Sequence, residues 1–189
     1  MASDPSHDFV IETPRLALRR FTTDDIDFLT LLLGDPVTMS HWQAPLTRAE
    51  AASWLQRAVQ SYAADGFGRW LVLHKDRCQP IGDVGIQKLS IPDRHDDPQW
   101  ENDLGYIIHR DQWGHGFGFE AASACVDWAR GHGLKSVIAT MAEDNLSSIR
   151  TAERLGMNLE RRFNNPRNRG KTTQFYRLEL AVKDLPAGG

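Results

Sequence analysis

The sequence predicts an α/β sandwich around one mixed, mostly antiparallel sheet of about seven strands, with helices on both faces. Three observations lead there. Short apolar runs of strand length are interspersed with stripes of helical period, in the order β-α-α-β-β-β-α-β-α-β-β. A loop with three glycines at alternate positions sits between a strand and a helix, more than halfway along the 189 residues. The strand–helix–strand unit around that loop supplies a parallel pair, because strands joined by a helical crossover run in the same direction.

The elements follow in order. Residues 16–21, Leu-Ala-Leu-Arg-Arg-Phe, read as a first strand. Thr22 or Thr23 then caps a helix, with Asp24 and Asp25 in the first turn where the helix dipole favours acids. Ile26, Leu29, Leu32 and Leu33 give it an apolar stripe, and Gly34-Asp35-Pro36 stops it. Thr47, with Glu50 three residues on, is a capping-box start for a second helix. That helix runs through Trp54, Leu55, Ala58, Val59 and Tyr62 to Gly66. Strands are expected at 70–74, 81–89 and 104–108, the last two separated by a polar surface loop with Pro92, Asp93, Asp96, Asp97 and Pro98. After the glycine loop, Phe117, Ala121, Ala124, Cys125 and Trp128 lie on one face of a helix ended by Gly131 and Gly133. A strand at 137–141, a short helix at 145–155 stopped by Gly156, and strands near 157–163 and 173–182 complete the chain.

Length fits a single domain spanning 1–189, with its core at about 9–182. Net charge is -3, which gives no global attraction to nucleic acid or to an anionic membrane. The two cysteines, Cys78 and Cys125, form no C-x-x-C pair, which argues against a zinc site or redox dithiol and suits a reducing cytoplasm. Cys125 reads as core and Cys78 as a turn thiol. Residues 1–8 are polar and carry no signal-peptide core, and no apolar run is long enough to span a bilayer. A cytoplasmic protein without membrane, metal or nucleic-acid partner is the expectation.

The strongest local signal is Trp113-Gly114-His115-Gly116-Phe117-Gly118. Alternating glycines let the backbone curl so that several N–H groups point the same way, and the helix behind adds a positive dipole end. A diphosphate is the natural occupant. A dinucleotide fingerprint is excluded because its last glycine position is Phe119, and a Walker A loop because no Gly-Lys-Ser/Thr follows.

Several blocks in order resemble the GNAT acetyltransferase superfamily, in particular its RimJ/RimL-like branch. Thr13-Pro14-Arg15-Leu16-Ala17-Leu18-Arg19 is similar to the opening "T-x-R-L-x-L-R", and Ile81-Gly82-Asp83-Val84-Gly85 to the third strand. Asp103-Leu104-Gly105-Tyr106 and the run from Trp113 to Ala121 are similar to "E-I-G-Y" and "W-G-x-G-x-A-x-E-A". Asn145-Leu146-Ser147-Ser148 and Glu153-Arg154-Leu155-Gly156-Met157 are similar to "N-x-x-S" and "E-K-L-G-F/M". The resemblance implies a GNAT fold splayed between its fourth and fifth strands. It also implies acetyl-CoA as cosubstrate and direct acetyl transfer to an amine without an acyl-enzyme. Carried over, Ile107, Ile108 and His109 offer backbone groups to the acetyl and pantetheine, Trp113, Gly114, His115, Gly116, Phe117 and Gly118 hold the diphosphate, and Asn145 bonds pantetheine.

Many relatives carry a tyrosine on the last helix as acid for the departing thiolate; here that place is Ala152. Ser148, one turn earlier on the same face, is the substitute candidate for cofactor contact and for catalysis, or a helix serine bonding a carbonyl. The attacking amine must be neutral. An α-amine with a pKa of about 7.7–8.0 is roughly one tenth neutral at pH 7, a lysine amine far less, so an α-amine acceptor needs only modest base help. Asp103, at the family's glutamate place, is the first candidate base, and Glu101 lies two residues earlier on the same strand face. His109 is a further base candidate, His115 is a candidate to stack on or bond phosphate, and Trp42 and Trp70 belong either to the acceptor pocket or to the core. Arg161, Arg162, Arg167, Arg169 and Lys171 form a basic stretch, a solvated hairpin by default or a contact for an acidic partner or the CoA 3′-phosphate.

The acceptor amine is left between a protein N-terminus and a small molecule, and the donor between acetyl and longer acyl groups. The alternative is a catalytically silent acyl-CoA-binding module. A homodimer is compatible with the resemblance.

Overall fold

The computed structural model describes residues 9–90, 100–165 and 168–180. The polar loop at 92–98, Arg167 and the end of the last expected strand lie outside them. The elements are β1 (Phe9–Glu12), β2 (Leu16–Arg20), α1 (Ile26–Gly34), α2 (Arg48–Ala64), β3 (Arg69–His74), β4 (Gln79–Ser90), β5 (Trp100–Ile108), α3 (Phe117–Gly131), β6 (Ser136–Ala142), α4 (Leu146–Arg154), β7 (Asn158–Asn164) and β8 (Thr172–Glu179). They build one eight-stranded sheet in the order β1-β2-β3-β4-β5-β6-β8-β7. The strand beyond the expected seven is β1, a four-residue edge whose pattern is too short for periodicity to register.

The capping box at Thr47 forms: the Glu50 N–H donates to Thr47 Oγ1 at 3.3 Å, and Glu50 Oε2 accepts from the Thr47 N–H at 2.7 Å. At the start of α1, Thr22 is the cap and Asp24 and Asp25 lie in the first turn, as expected. That turn, Thr23–Asp25, is 3₁₀, and Asp25 turns inward to Arg19, whose guanidinium donates to both carboxylate oxygens at 2.8 and 2.7 Å. Alternation along the strands sorts the core into two layers. Trp70, Val72, Val84, Leu104 and Ile108 face α3, meeting Ala121, Cys125, Val126 and Ala129. Leu71 and Ile107 face the other side, against Leu29, Leu32 and Leu33 of α1 and Ala51, Leu55 and Ala58 of α2. Cys125 is fully buried and burial pushes its thiol up, so it is packing rather than a nucleophile.

Every neighbouring pair is antiparallel except β5 and β6, which run parallel and meet at one register pair, Asp103 with Ile138. The closed end of that junction is fastened by side chains. Asn102 Nδ2 donates to the Ser136 carbonyl at 3.0 Å, and Arg177 Nη1 to Ser136 Oγ at 3.1 Å. Beyond Asp103 the strands separate while β5 stays paired to β4 along its whole length. A slot therefore opens inside the sheet rather than at its edge.

Candidate active site

The glycine loop takes its shape from two left-handed residues, Gly114 (φ +80°) and Gly116 (φ +79°), immediately before α3. A side chain at Gly114 would meet no atom within 4 Å, and one at Gly116 only Arg15 Nη2 at 3.8 Å. The glycines serve backbone conformation and open space, which is what a bulky anion at a helix N-terminus requires. Arg15 supports the loop from behind: Nη1 donates to the His115 carbonyl at 3.0 Å, and Nε to Glu120 Oε2 at 2.7 Å. Thr13 Oγ1 donates to Glu120 Oε1 at 2.6 Å. The opening motif and the glutamate of the glycine block are thus one contact, 105 residues apart between Arg15 and Glu120. Trp113 is half-exposed and donates its indole N–H to the Ile108 carbonyl at 2.8 Å. His115 stacks on Phe117 with ring centroids 5.5 Å apart and is absent from the hollow's wall.

Two hollows meet at the slot. The larger, about 540 Å³, is walled by Trp113, Gly114, Gly116, Phe117, Gly118 and Phe119. The smaller, about 270 Å³, is walled by Trp54, Arg69, Gln87 and Asp103. They share His41, Trp42, Tyr106, Ile107, Asn145 and Ser148. The first belongs to the α3 face of the sheet and the second to the α2 face, so the slot joins opposite sides.

The backbone groups lining the slot differ from the expected set. The His109 N–H donates to the Ile81 carbonyl at 2.9 Å, which orients residues 109, 107 and 105 toward β4. The alternate residues Tyr106 and Ile108 therefore point their N–H and C=O groups toward the slot, the Ile108 carbonyl already accepting from the Trp113 indole there. Ile107 and His109, expected to offer backbone groups here, turn them to β4 instead, and Ile108 and Tyr106 turn theirs to the slot. The His109 ring accepts from the Asp111 N–H at 3.4 Å, caps the turn after β5 and lines neither hollow.

Behind the wall of the smaller hollow, Asp83 is fully buried. It accepts from Arg69 Nε at 2.9 Å and from Trp54 Nε1 at 2.8 Å. A Cβ at Gly105 would lie 1.9 Å from Arg69 Nη1, so this glycine makes room for the guanidinium. Asp103 is 9% exposed, and burial pushes its carboxyl up to about 6; the Arg69 charge and a Gln87 hydrogen bond pull it only part of the way back. Glu101 is not beside it in function. Both its oxygens are held by Arg177, at 2.7 and 3.0 Å, and it lines neither hollow. An Arg that meets both carboxylate oxygens fixes the group in place, which corrects Glu101 as a base. The two tryptophans also separate: Trp70 is core, 1% exposed, whereas Trp42 walls both hollows and meets Trp54 edge-on at 5.5 Å.

The α4 side supplies Asn145 and Ser148. Asn145 Oδ1 caps the helix by accepting from the Ser148 N–H at 3.2 Å and from Ser147 Oγ at 3.0 Å. Ala152 is buried in the core. The Tyr106 ring lies beside Gly118, and its hydroxyl is buried, faces the hydroxyls of Ser148 and Thr151, and makes no well-formed hydrogen bond. At the mouth, Asp144 accepts from Arg169 Nη2 at 2.7 Å and lies 3.7 Å from His41 Nδ1. This ties the 34–46 segment and the β7–β8 hairpin to the start of α4. The basic stretch is thereby partly matched: Arg169 is paired to Asp144, and Arg161 lies over Phe175 at 4.8 Å. Among the described residues no His/Cys/Asp/Glu cluster could hold a metal, and no helix is long and apolar enough to cross a membrane.

YkkB, an uncharacterised protein of Bacillus subtilis, is 27% identical over 159 residues, 82% of this chain and 90% of its own. The fold is shared with RimL, a ribosomal L7/L12 α-N-protein acetyltransferase solved with coenzyme A (TM-score 0.76, 14% identity, 93% of this chain and 99% of that one). It is shared as well with the spermidine N-acetyltransferase of Vibrio cholerae, solved with CoA and spermine (TM-score 0.70, 18% identity, 90% and 98%). The acetyltransferase (GNAT) domain model matches residues 15–158, from the arginine that braces the glycine loop to the first residue of β7, and the chain belongs to the GNAT acetyltransferase family.

Proposed function

We propose that the protein is an acetyl-CoA-dependent N-acetyltransferase that moves acetyl directly onto a primary amine, either a protein N-terminal α-amine or a small-molecule amine. The observation that carries this reading is the slot: it joins a glycine-walled hollow at a helix N-terminus to a second hollow holding a buried carboxylate. The residues present fit the cosubstrate. Open, left-handed Gly114 and Gly116 at the start of α3 suit a diphosphate. The slot-facing backbone of Tyr106 and Ile108 suits an extended amide chain added as a pseudo-strand. Acetyl-CoA supplies an activated acyl group.

The chain's own groups supply the rest. Asp103, with a pKa of about 6, is mostly ionised at pH 7 yet close enough to neutrality to take a proton from the amine as it attacks. Trp42 and Trp54 wall the acceptor side and exclude water. Ser148, where the hollows meet, donates a hydrogen bond toward the sulfur as the C–S bond breaks. Among fold relatives, RimL is named for a protein α-amine and the Vibrio cholerae enzyme for spermidine, so acceptor class follows the local wall rather than the fold. Asp103 is the one carboxylate in the wall of the smaller hollow, Asp83 being held behind it by Arg69 and Trp54, which suits an acceptor with a single cationic centre better than a polyamine.

The test is acetyl-CoA-dependent thiol release against N-terminal peptides beginning with Ser, Ala or Asp, aminoglycosides, polyamines and free amino acids. Turnover on one class is expected. No turnover anywhere, with acetyl-CoA still raising the melting temperature, overturns the enzyme reading in favour of a silent acyl-CoA binder.

A further inference from the structure

Acyl transfer from a thioester expels a thiolate. With Ala152 buried where a helix tyrosine would sit, no phenol projects from α4 to receive that charge. A phenol nevertheless reaches the same helix from the sheet. Tyr106 comes from β5, lies beside Gly118, and brings its hydroxyl to the turn of α4 that carries Ser148 and Thr151. That oxygen is buried and lacks a well-formed hydrogen bond. A buried polar atom left in this state is costly and is retained where it has a use.

The available partners are unequal. The Thr151 hydroxyl already donates to the Ser147 carbonyl at 3.0 Å, so its proton is committed along the helix. Ser148 is half-buried and lines both hollows at their junction. Its hydroxyl has one proton and can accept from Tyr106 while donating elsewhere. Burial pushes the Tyr106 phenol up, so it stays protonated and acts only as a donor to a neighbouring oxygen.

Building on the acetyltransferase reading, we propose that Tyr106 is a positioning residue: its hydroxyl donates to Ser148 Oγ and thereby directs the single serine proton toward the thioester sulfur. No proton needs to leave the phenol. The C–S bond breaks with its electron pair on sulfur, the Ser148 hydroxyl bonds the thiolate, and the amine proton passes to Asp103. The thiol proton is taken from water on release. A chain of two hydroxyls polarises each member and makes the outer donor stronger than a lone serine.

Tyr106→Phe keeps the ring and removes only the hydroxyl. The decisive readout needs no acceptor: the pKa of the thiol of bound CoA, followed by thiolate absorbance in the ultraviolet. A donor to sulfur stabilises the thiolate, so Tyr106→Phe is expected to raise that pKa by about one unit, with CoA affinity at neutral pH unchanged. The melting temperature is expected to stay near that of wild type, because the ring and its packing beside Gly118 are kept. In turnover, kcat falls about tenfold at constant KM for acetyl-CoA. In a Ser148→Ala background the substitution has no further effect, since the two act as one unit. An unchanged thiol pKa in Tyr106→Phe overturns the proposal and leaves the acetyltransferase reading intact. A wild-type protein that binds no CoA overturns both.

Discussion

Asp103→Asn separates stability from activity at one atom pair. In the folded protein the Asp103 carboxyl titrates at about 6 against an ordinary 3.8, because burial disfavours its charge more than Arg69 and Gln87 favour it. The folded state thus holds this proton more tightly than the unfolded chain. Below pH 3.8 both states are protonated and the group costs nothing. As pH rises from 3.8 to about 6 the unfolded chain ionises first, so stability falls, and above 6 the full cost is present. The interval corresponds to about 3 kcal/mol. Asparagine cannot ionise, so Asp103→Asn is expected to be more stable than wild type at pH 7 by about 2–3 kcal/mol and equal to it at pH 3.5. Urea unfolding at the two pH values measures both terms. Activity moves the other way. Wild-type kcat/KM should climb with pH through a limb near 6, and the variant should lose that limb together with about a hundredfold in rate. Equal stability at pH 7, or a limb that survives in the variant, refutes the assignment of that proton to Asp103.

Three further outcomes are expected. Gly116→Asp sets a carboxylate in the open space at the start of α3; affinity for acetyl-CoA measured by calorimetry should fall about a hundredfold, while the melting temperature drops only a few degrees because Asp tolerates a positive φ. Ser148→Ala should lower kcat with little change in acetyl-CoA binding, and an unaltered kcat returns the serine to a helical packing role. Glu101→Gln weakens the clamp on Arg177 and should cost about 1–3 kcal/mol in chemical denaturation with kcat within twofold of wild type; a large fall in kcat at unchanged stability would restore Glu101 to the chemistry.

What could be read in advance was what is written locally. The glycine loop, the stripe of α3 and the capping box at Thr47 all depend on spacings of a few residues, and all three form as expected. Glu101 and Asp103 share a strand face, as their spacing requires, yet only Asp103 reaches the hollow. Arg177, 76 residues further on, holds Glu101, and that partnership is set by how β8 lies beside β6. Strand phase decided which backbone groups face the slot: Ile107 and Ile108 look equivalent in sequence, and only pairing with β4 separates them. The contact of Tyr106 with α4 and the tie between His41, Asp144 and Arg169 join segments distant in the chain, for which no periodicity carries a signal.

The divergence of β5 from β6 has a consequence for how the protein opens. One register pair of backbone joins a five-stranded half to a three-stranded half; the apolar core shared under α3 and a few side chains complete the link. The two halves are natural separate units of local unfolding. In the free protein their amide hydrogens should exchange with solvent in two classes, with the slot-facing N–H groups of Tyr106 and Ile108 among the fastest within any strand. On the proposed acetyltransferase reading, a ligand chain lying in the slot would bond to one half through backbone and to the other through Asn145 and Ser148. Binding should then merge the two exchange classes into one, turning a sheet with an internal seam into a single cooperative body.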